Sequence, residues 1–309
     1  MEDPGTEHPQ SLMQTFDRLF PTEEACIGFL FSLRWPQGFV CPFCRSRRPH
    51  MAAQRYLLCP HCGNRSSLTT GTLMHGARKP LRHWLAAIWW FAASPFGASA
   101  KELQRMLGIS CYQTAWTWLQ KLRLAMAQAD NTPCRGVVEV GCDQVAPAYE
   151  RKEYAQVLTA AEVALSVGLT GRIRMRCIPA LDGSSLALFL DASVGRNSTL
   201  LIGDDHLQSL LAAADLPFVV PAEPDRPSRT RMLNRGVESY LHSVHRGGVT
   251  VRHLQLYLDE FCFRNNTLLL PDQVAAFKAL LGGVFSGSIE LYRHVAGAGP
   301  ATAAAEGRA

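Results

Sequence analysis

Two short cysteine pairs constrain this chain more than any other feature in it. Cys41-Pro42-Phe43-Cys44 and Cys59-Pro60-His61-Cys62 each have C-x-x-C spacing, and fourteen residues separate them. Each pair can sit on a tight turn that points two thiolates at one tetrahedral Zn²⁺. Two such turns offer four sulfurs and fold a small ribbon with little apolar core of its own. The separation falls just below the usual range for paired C-x-x-C sites, although ribbon hairpins vary in length. Redox C-x-x-C pairs and chance are the alternatives. Neither accounts for two proline-containing knuckles joined by a basic segment with Arg45, Arg47, Arg48 and Arg55. Structural zinc on Cys41, Cys44, Cys59 and Cys62 is therefore expected. His61 is a bystander, because four thiolates complete the shell.

The rest of the chain must carry its own core. It has 309 residues, 47% hydrophobic and 18% charged, which fits a folded protein of two or three domains. The start, Met1-Glu2-Asp3-Pro4-Gly5, is acidic and lacks the apolar run of a signal peptide. The longest strongly apolar segment, Leu85 to Ala93, is shorter than the ~20 residues a bilayer requires. A cytoplasmic protein without a membrane partner is expected. In that compartment ten cysteines argue for metal binding or buried thiols rather than disulfides.

Charge divides the chain. From Arg34 to Arg123 there are thirteen Lys or Arg and one acid, Glu102. The whole chain is only +5, so the remainder sums to about −7 (+5 minus +12). Arg outnumbers Lys 26 to 5. Arg suits bidentate phosphate contacts, though genome composition explains the bias equally well.

Residues 1–10 read as disordered. Leu12, Phe16, Leu19 and Phe20 suit a short amphipathic helix, and Thr22 caps the next one. Residues 11–75 thus form N-terminal helices and a zinc ribbon. Residues 76–130 read as a helical region. Its first helix opens at Pro80 and carries Trp84, Leu85, Ile88, Trp89 and Phe91. Trp89 and Trp90 could stack on bases, but tryptophans at helical spacing are more often core. Gly97 to Met126 reads as a helix-turn-helix. Ser99 and Glu102 form a capping box, Gly108-Ile109-Ser110 is the turn, and Ser110 caps the second helix. Ala115, Trp118, Leu119 and Leu122 form its inner face. Tyr112, Gln113, Thr114, Trp116, Lys121 and Arg123 form an outer face that a DNA groove could receive. Arg78 and Lys79 add charge upstream. Many such helix pairs are purely structural; the scarcity of acids favours DNA here.

Residues 135–285 read as an α/β domain. Strands are expected at 137–143, 157–168, 172–179, 199–205 and 216–220, with helices at 184–194, 206–214 and 251–265 and a loop at 222–231. On the first strand, Val138, Val140 and Cys142 share one face and Glu139, Gly141 and Asp143 the other. Those acids are candidate metal ligands, or a solvated face. The Ala/Gly-rich tail, 296–309, reads as disordered.

The order of parts resembles bacterial insertion-sequence transposases of the ISXO-like group. The likeness rests on Thr22 to Cys26, Leu33 to Phe39, the four cysteines, Thr70 to His75 and Pro80 to Trp84. It continues through Leu107 to Ser110, Thr114 to Trp116, Lys121 to Met126, Arg252 to Leu254 and Tyr257 to Arg264. It covers about residues 11–270. The resemblance implies an α/β multidomain protein: zinc ribbon, helix-turn-helix, then an RNase H-like mixed sheet with flanking helices. It also implies a bacterial, nucleoid-associated protein on double-stranded DNA, with a homodimer on paired DNA ends. Catalysis would use two aspartates on two Mg²⁺ or Mn²⁺ ions, a third polar ligand and a Lys.

The chain departs from that pattern. Gly141 stands where the first Asp is expected after Val138-Glu139-Val140. The second Asp matches Asp204. One register puts Arg231 and Glu238 at the third-ligand and Lys positions, and another puts Asn234 at the Lys position. Mg²⁺ needs hard oxygen ligands, and glycine supplies none. Asp143, two residues on and ~7 Å along the strand, is a possible substitute. Three readings follow: a DNA-binding protein without cleavage activity, an active enzyme using Asp143 and Asp204, and a zinc-ribbon transcription accessory that binds protein.

Overall fold

A computed structural model describes residues 9–47, 50–53, 56–76, 79–94, 97–148, 153–163, 171–222, 228–245 and 249–287. The disorder expected at 1–10 and 296–309 falls outside them, except that Pro9 and Gln10 already belong to the first helix.

Helix α1 (Pro9–Leu19) and helix α2 (Glu23–Arg34) lead in. Thr22 caps α2 as expected, accepting from Ala25 N at 3.2 Å. The ribbon is an antiparallel sheet of β1 (His50–Ala53), β2 (Tyr56–Leu58) and β3 (Arg65–Ser67) in that order. Arg34 at the end of α2 ties the outgoing loop down, donating to Leu68 O at 2.5 Å and Thr70 O at 2.6 Å.

Helix α3 (Leu81–Ala93) is apolar on all sides, and such a helix must be enclosed. Eight of its thirteen residues are buried, among them Trp84, Leu85, Ile88, Trp89 and Phe91. Its orphan N–H groups find a distant acceptor: Glu23 accepts from Leu81 N at 2.7 Å and Arg82 N at 2.9 Å. Trp84 stacks on Trp118, ring centroids 3.9 Å apart. Core packing, not base stacking, is therefore the role of Trp84 and Trp89.

Helix α4 (Ala100–Leu107) carries the expected Ser99–Glu102 capping box and ends on Gly108 at φ 61, a left-handed stop that glycine adopts freely. Helix α5 (Tyr112–Ala129) follows. Its cap position is Cys111, with no side-chain bond, rather than Ser110. From Trp118 on, α5 is buried nearly all round.

The second sheet has the order β6-β5-β4-β7. Strands β4 (Val137–Ala148), β5 (Glu153–Glu162) and β6 (Ile173–Ile178) form an antiparallel meander. Helix α6 (Gly183–Ser193) then crosses to β7 (Thr199–Leu201), which pairs parallel to β4. Helix α7 (Asp205–Ala213) follows, and the strand expected at 216–220 is a single parallel bridge, Leu201 to Val219. The strand expected at 157–168 is seen from 153 to 162, and residues 164–168 lie outside the described residues. One face of the sheet, with Val138, Val140, Leu158 and Ala160, packs on α6 and α7.

The opposite face meets two helices, one close to that expected at 251–265 and one not expected. Helix α8 (Arg229–His245) begins inside the expected loop and lies across β4. Helix α9 (Leu254–Thr267) lies on β6 and α5, and helix α10 (Gln273–Ser286) packs on α5 and α3. The α5–α10 contact depends on Gly283, where a Cβ would stand 1.9 Å from Ala125 O. One apolar cluster therefore runs from Phe16 through Trp89 and Leu122 to Tyr257 and Leu281. It continues unbroken past residue 130.

Candidate functional site

The four cysteines converge. Cys41 Sγ lies 3.7 Å from Cys62 Sγ, and Cys44 Sγ 3.5 Å from Cys59 Sγ; all four fall within 4.8 Å of one another. A tetrahedral zinc with bonds of about 2.3 Å separates its sulfurs by about 3.8 Å, so this donor set fits Zn²⁺. The two knuckles repeat one geometry. Cys41 N donates to Ser46 O and Arg45 N to Cys41 O; Cys59 N donates to Asn64 O and Gly63 N to Cys59 O, each at 2.9 Å. Each turn needs a left-handed residue after its second cysteine, filled by Arg45 at φ 60 and Gly63 at φ 67. The backbone and side-chain N–H groups of Asn64 draw the Cys62 thiol down to about 6. Cys44 has a lowering backbone hydrogen bond at Ser46, yet burial and the other three sulfurs push it up to about 12. Among the described residues no other group of three or more His, Cys, Asp or Glu side chains is so gathered.

The residues expected to touch DNA separate. Arg45 and Arg47 are exposed on the ribbon, and Lys79 is exposed before α3. Tyr112 and Gln113 are exposed on the first turn of α5. Trp116 is half-buried, with its ring 6.0 Å from that of His253. The Lys121 ammonium lies 5.8 Å from the Trp84 ring. Arg48, Arg55 and Arg78 lie outside the described residues. Arg123 is a correction. It does not face outward but sits 1% exposed, with Nε 2.6 Å from Glu260 Oε2, because α9 covers that side of α5.

Four acids of the back half line a cleft of about 750 Å³ between β4, the end of β7 and α8. Asp143, Asp204 and Asp205 all line it. Burial raises the Cys142 thiol to about 11, and Asp143 and Asp204 add to the rise. Glu139 is spent elsewhere. Its carboxylate accepts from Ser228 Oγ at 2.7 Å, Thr230 N and Thr230 Oγ1 at 3.0 Å and Arg229 N at 3.2 Å. It thereby anchors the α8 N-terminus to β4, as Glu23 anchors α3.

That anchoring decides the fate of position 141. A Cβ on Gly141 would lie 2.5 Å from Thr230 Oγ1 and 3.1 Å from Thr230 Cβ. The space for a ligand side chain is filled. Asp143, two residues on, accepts from Asn234 Nδ2 at 2.6 Å, while Asn234 Oδ1 accepts from the buried Thr159 hydroxyl at 2.9 Å. Asp204 caps α7, accepting from Leu207 N at 2.8 Å. Glu238 accepts from Ala146 N at 3.0 Å. Arg231 and Arg235 line the cleft from α8. Among the described residues Asp143 and Asp204 each have one oxygen without a hydrogen-bond partner, the amide oxygen of Asn234 is occupied, and Arg231 and Arg235 line the same cleft. This donor set does not fit a two-metal centre.

The sequence reading passed over Thr230 and Arg235. Their only signal was spacing: Thr230 and Asn234, and Arg231 and Arg235, fall four apart, on shared faces of a helix that was not expected there.

Comparison with known proteins identifies the ribbon. Residues 21–65 match the IS1595-type family described as the transposase zinc-ribbon domain. An uncharacterized protein in transposable element ISH50 of Halobacterium salinarum is 27% identical over 128 residues, 40% of this chain and 42% of that protein. The chain thus spans about two fifths of that relative's length. The family model is of a transposase domain and the relative belongs to a transposable element. With the four-sulfur cluster, the family match supports structural zinc. No helix among the described residues is long and apolar enough to cross a membrane.

Proposed function

We propose that this chain is a DNA-binding protein of the transposition lineage whose cleft does not cut DNA. The observation that carries the proposal is the contact between Gly141 and Thr230. The carboxylate absent from position 141 has left no vacancy for a metal ligand, because a buried threonine hydroxyl, itself held by Glu139, occupies the space. An RNase H-like assignment for the second sheet is supported by its long inner strand β4, its parallel partner β7 and its helices on both faces. DNA binding is supported by the basic front half, the exposed Arg45 and Arg47, and the exposed first turn of α5. Recognition helices place their N-terminal residues on base edges, so Tyr112 and Gln113 are the residues of the helix pair that would read DNA.

The test uses the full chain on duplexes carrying the ends of its own element. Binding should weaken steeply with salt, because Lys and Arg displace condensed counterions. Incubation with Mg²⁺ or Mn²⁺ should leave the strands uncut. Salt-independent or absent binding would overturn the first half of the proposal, and metal-dependent nicking the second.

One observation favours an active enzyme instead: Asp143 and Asp204 line the same cleft. On that reading the wild type cuts DNA, and Asp143→Asn and Asp204→Asn each abolish cutting.

A further inference from the structure

The α8 wall of the cleft has a pair of arginines whose guanidinium groups are unpartnered among the described residues. Several arginines of the back half are tied down. Arg172 and Arg174 bind Asp130, Arg264 binds Glu260, and Arg229 donates to Glu162 O at 2.8 Å and Gly171 O at 3.0 Å. Arg231 and Arg235 differ. Both are exposed, both line the cleft, and neither guanidinium has an ion-pair or hydrogen-bond partner among the described residues. Four residues apart on α8, they project from one face about 6 Å apart along the axis. Successive phosphates of a strand advance about 3.4 Å along a duplex, so the pair can reach phosphates one or two steps apart.

We propose that Arg231 and Arg235 grip the backbone phosphates of a DNA strand lying in this cleft. The cleft would then be a second DNA contact, separate from the ribbon and the α4–α5 turn. This inference rests on the reading of the chain as a DNA-binding protein. The guanidinium fork matches phosphate geometry bidentately, and Arg229, two residues before Arg231, fixes the start of α8 so that the pair is presented by an anchored helix. Asp143 and Asp204 on the facing wall would repel the same strand, so the phosphates sit toward α8.

The experiment compares duplex binding by the wild type, Arg231→Ala/Arg235→Ala and Arg231→Lys/Arg235→Lys over a salt series without divalent ions. Arg196→Ala, an exposed arginine before β7, is the surface control. Losing two phosphate contacts should reduce the slope of log K against log salt by about 1.8, and affinity at 0.1 M salt by roughly eight-fold per contact. The double lysine variant should keep most of the slope, and the Arg196 variant all of it. Thermal melts unchanged from wild type show that the exposed substitutions leave the fold intact. An Ala/Ala slope equal to wild type, or an equal loss in the Arg196 control, overturns the inference while leaving DNA binding standing. A wild type that binds no DNA overturns the underlying reading instead.

Discussion

Arg123 Nε and Glu260 Oε2 meet at 2.6 Å with 2% and 0% of their side chains exposed, joining helices whose residues lie 137 apart in sequence. Arg264 completes the arrangement, donating to Glu260 Oε1 from Nε at 2.9 Å and from Nη2 at 2.6 Å. The Arg123 guanidinium carbon lies over the Tyr257 ring, 4.1 Å from its centroid. Burial alone would raise the Glu260 carboxyl; the two arginines overcome it and hold the group at about 2. The C-terminal half of α5 is thus a wall of the common core. The exposed residues of α5, Tyr112 and Gln113, are confined to its first turn.

Breaking this pair should be costly. Glu260→Gln keeps the shape but leaves two arginines without their counter-charge, and removing one partner of a buried pair typically costs about 3–5 kcal/mol. The free energy of unfolding in urea should fall by that order. A loss below about 1 kcal/mol, the range of exposed pairs, would show that water reaches the site.

The pair also marks what the sequence could and could not reveal. The helices at 23–34, 81–93 and 100–107 were legible because caps and apolar spacing agreed, as at Thr22 and at Ser99 with Glu102. The cysteine cluster was legible because its chemistry is carried by spacing alone. Helix α8 was not: two of its four buried residues, Thr230 and Asn234, are polar, so no apolar stripe announces it. In α10, Gly282 and Gly283 argue against a helix until the close approach to Ala125 explains the second. The segments around Lys121 and Tyr257 were prominent one by one. That Arg123 points at Glu260 rather than at DNA is a tertiary fact that helical periodicity cannot contain.

The ribbon should depend on its metal. Protein purified without chelators should contain one zinc per chain by elemental analysis, and Cys44→Ser should lose it and expose the ribbon to proteolysis. Gly63→Ala should destabilise the second knuckle by about 1 kcal/mol, because it forces a Cβ into the left-handed region. Arg45→Gly should relieve that strain in the first knuckle while weakening DNA binding. A zinc-free wild type, or Gly63→Ala binding as stable as wild type, would contradict this account.

Two buried groups should give opposed pH dependences. Burial, then Arg123, lowers His245 from 6.5 to about 4. Between those values the unfolded chain takes up a proton that the fold refuses, so His245 makes stability rise with pH, by about 3 kcal/mol over the window. Burial raises Asp259 to about 7, against lowering by Gln255, Arg174 and Arg176. Between about 4 and 7 the fold holds a proton that the unfolded chain releases, so Asp259 makes stability fall with rising pH. The wild type should be nearly flat from pH 4 to 6.5. Asp259→Asn should uncover the rise, and His245→Gln the fall. Parallel profiles for both variants would show that these groups do not titrate as their surroundings dictate.

The last prediction concerns Gly141 and Thr230. Gly141→Ala places a methyl 2.5 Å from Thr230 Oγ1. The threonine cannot swing away without breaking its hydroxyl bonds to Glu139 and Ser228, both 3.0 Å. Overpacking of this kind costs about 1–3 kcal/mol. Thr230→Ala alone should cost about 1 kcal/mol for the lost hydrogen bond. Together the two should cost less than their sum, because the second removes the atom that the first strikes; contacting residues couple by roughly 0.5–3 kcal/mol. The same logic reaches function. Gly141→Asp alone should neither bind Mn²⁺ nor cut DNA, since the aspartate has no room. Gly141→Asp/Thr230→Ala should bind Mn²⁺ measurably in calorimetry and still cut nothing, because Arg231 remains across the cleft and a catalytic set acts as a unit. Additive stabilities would show that Thr230 does not hold the space. Cleavage restored by Gly141→Asp alone would show that the site had lost one carboxylate and nothing more.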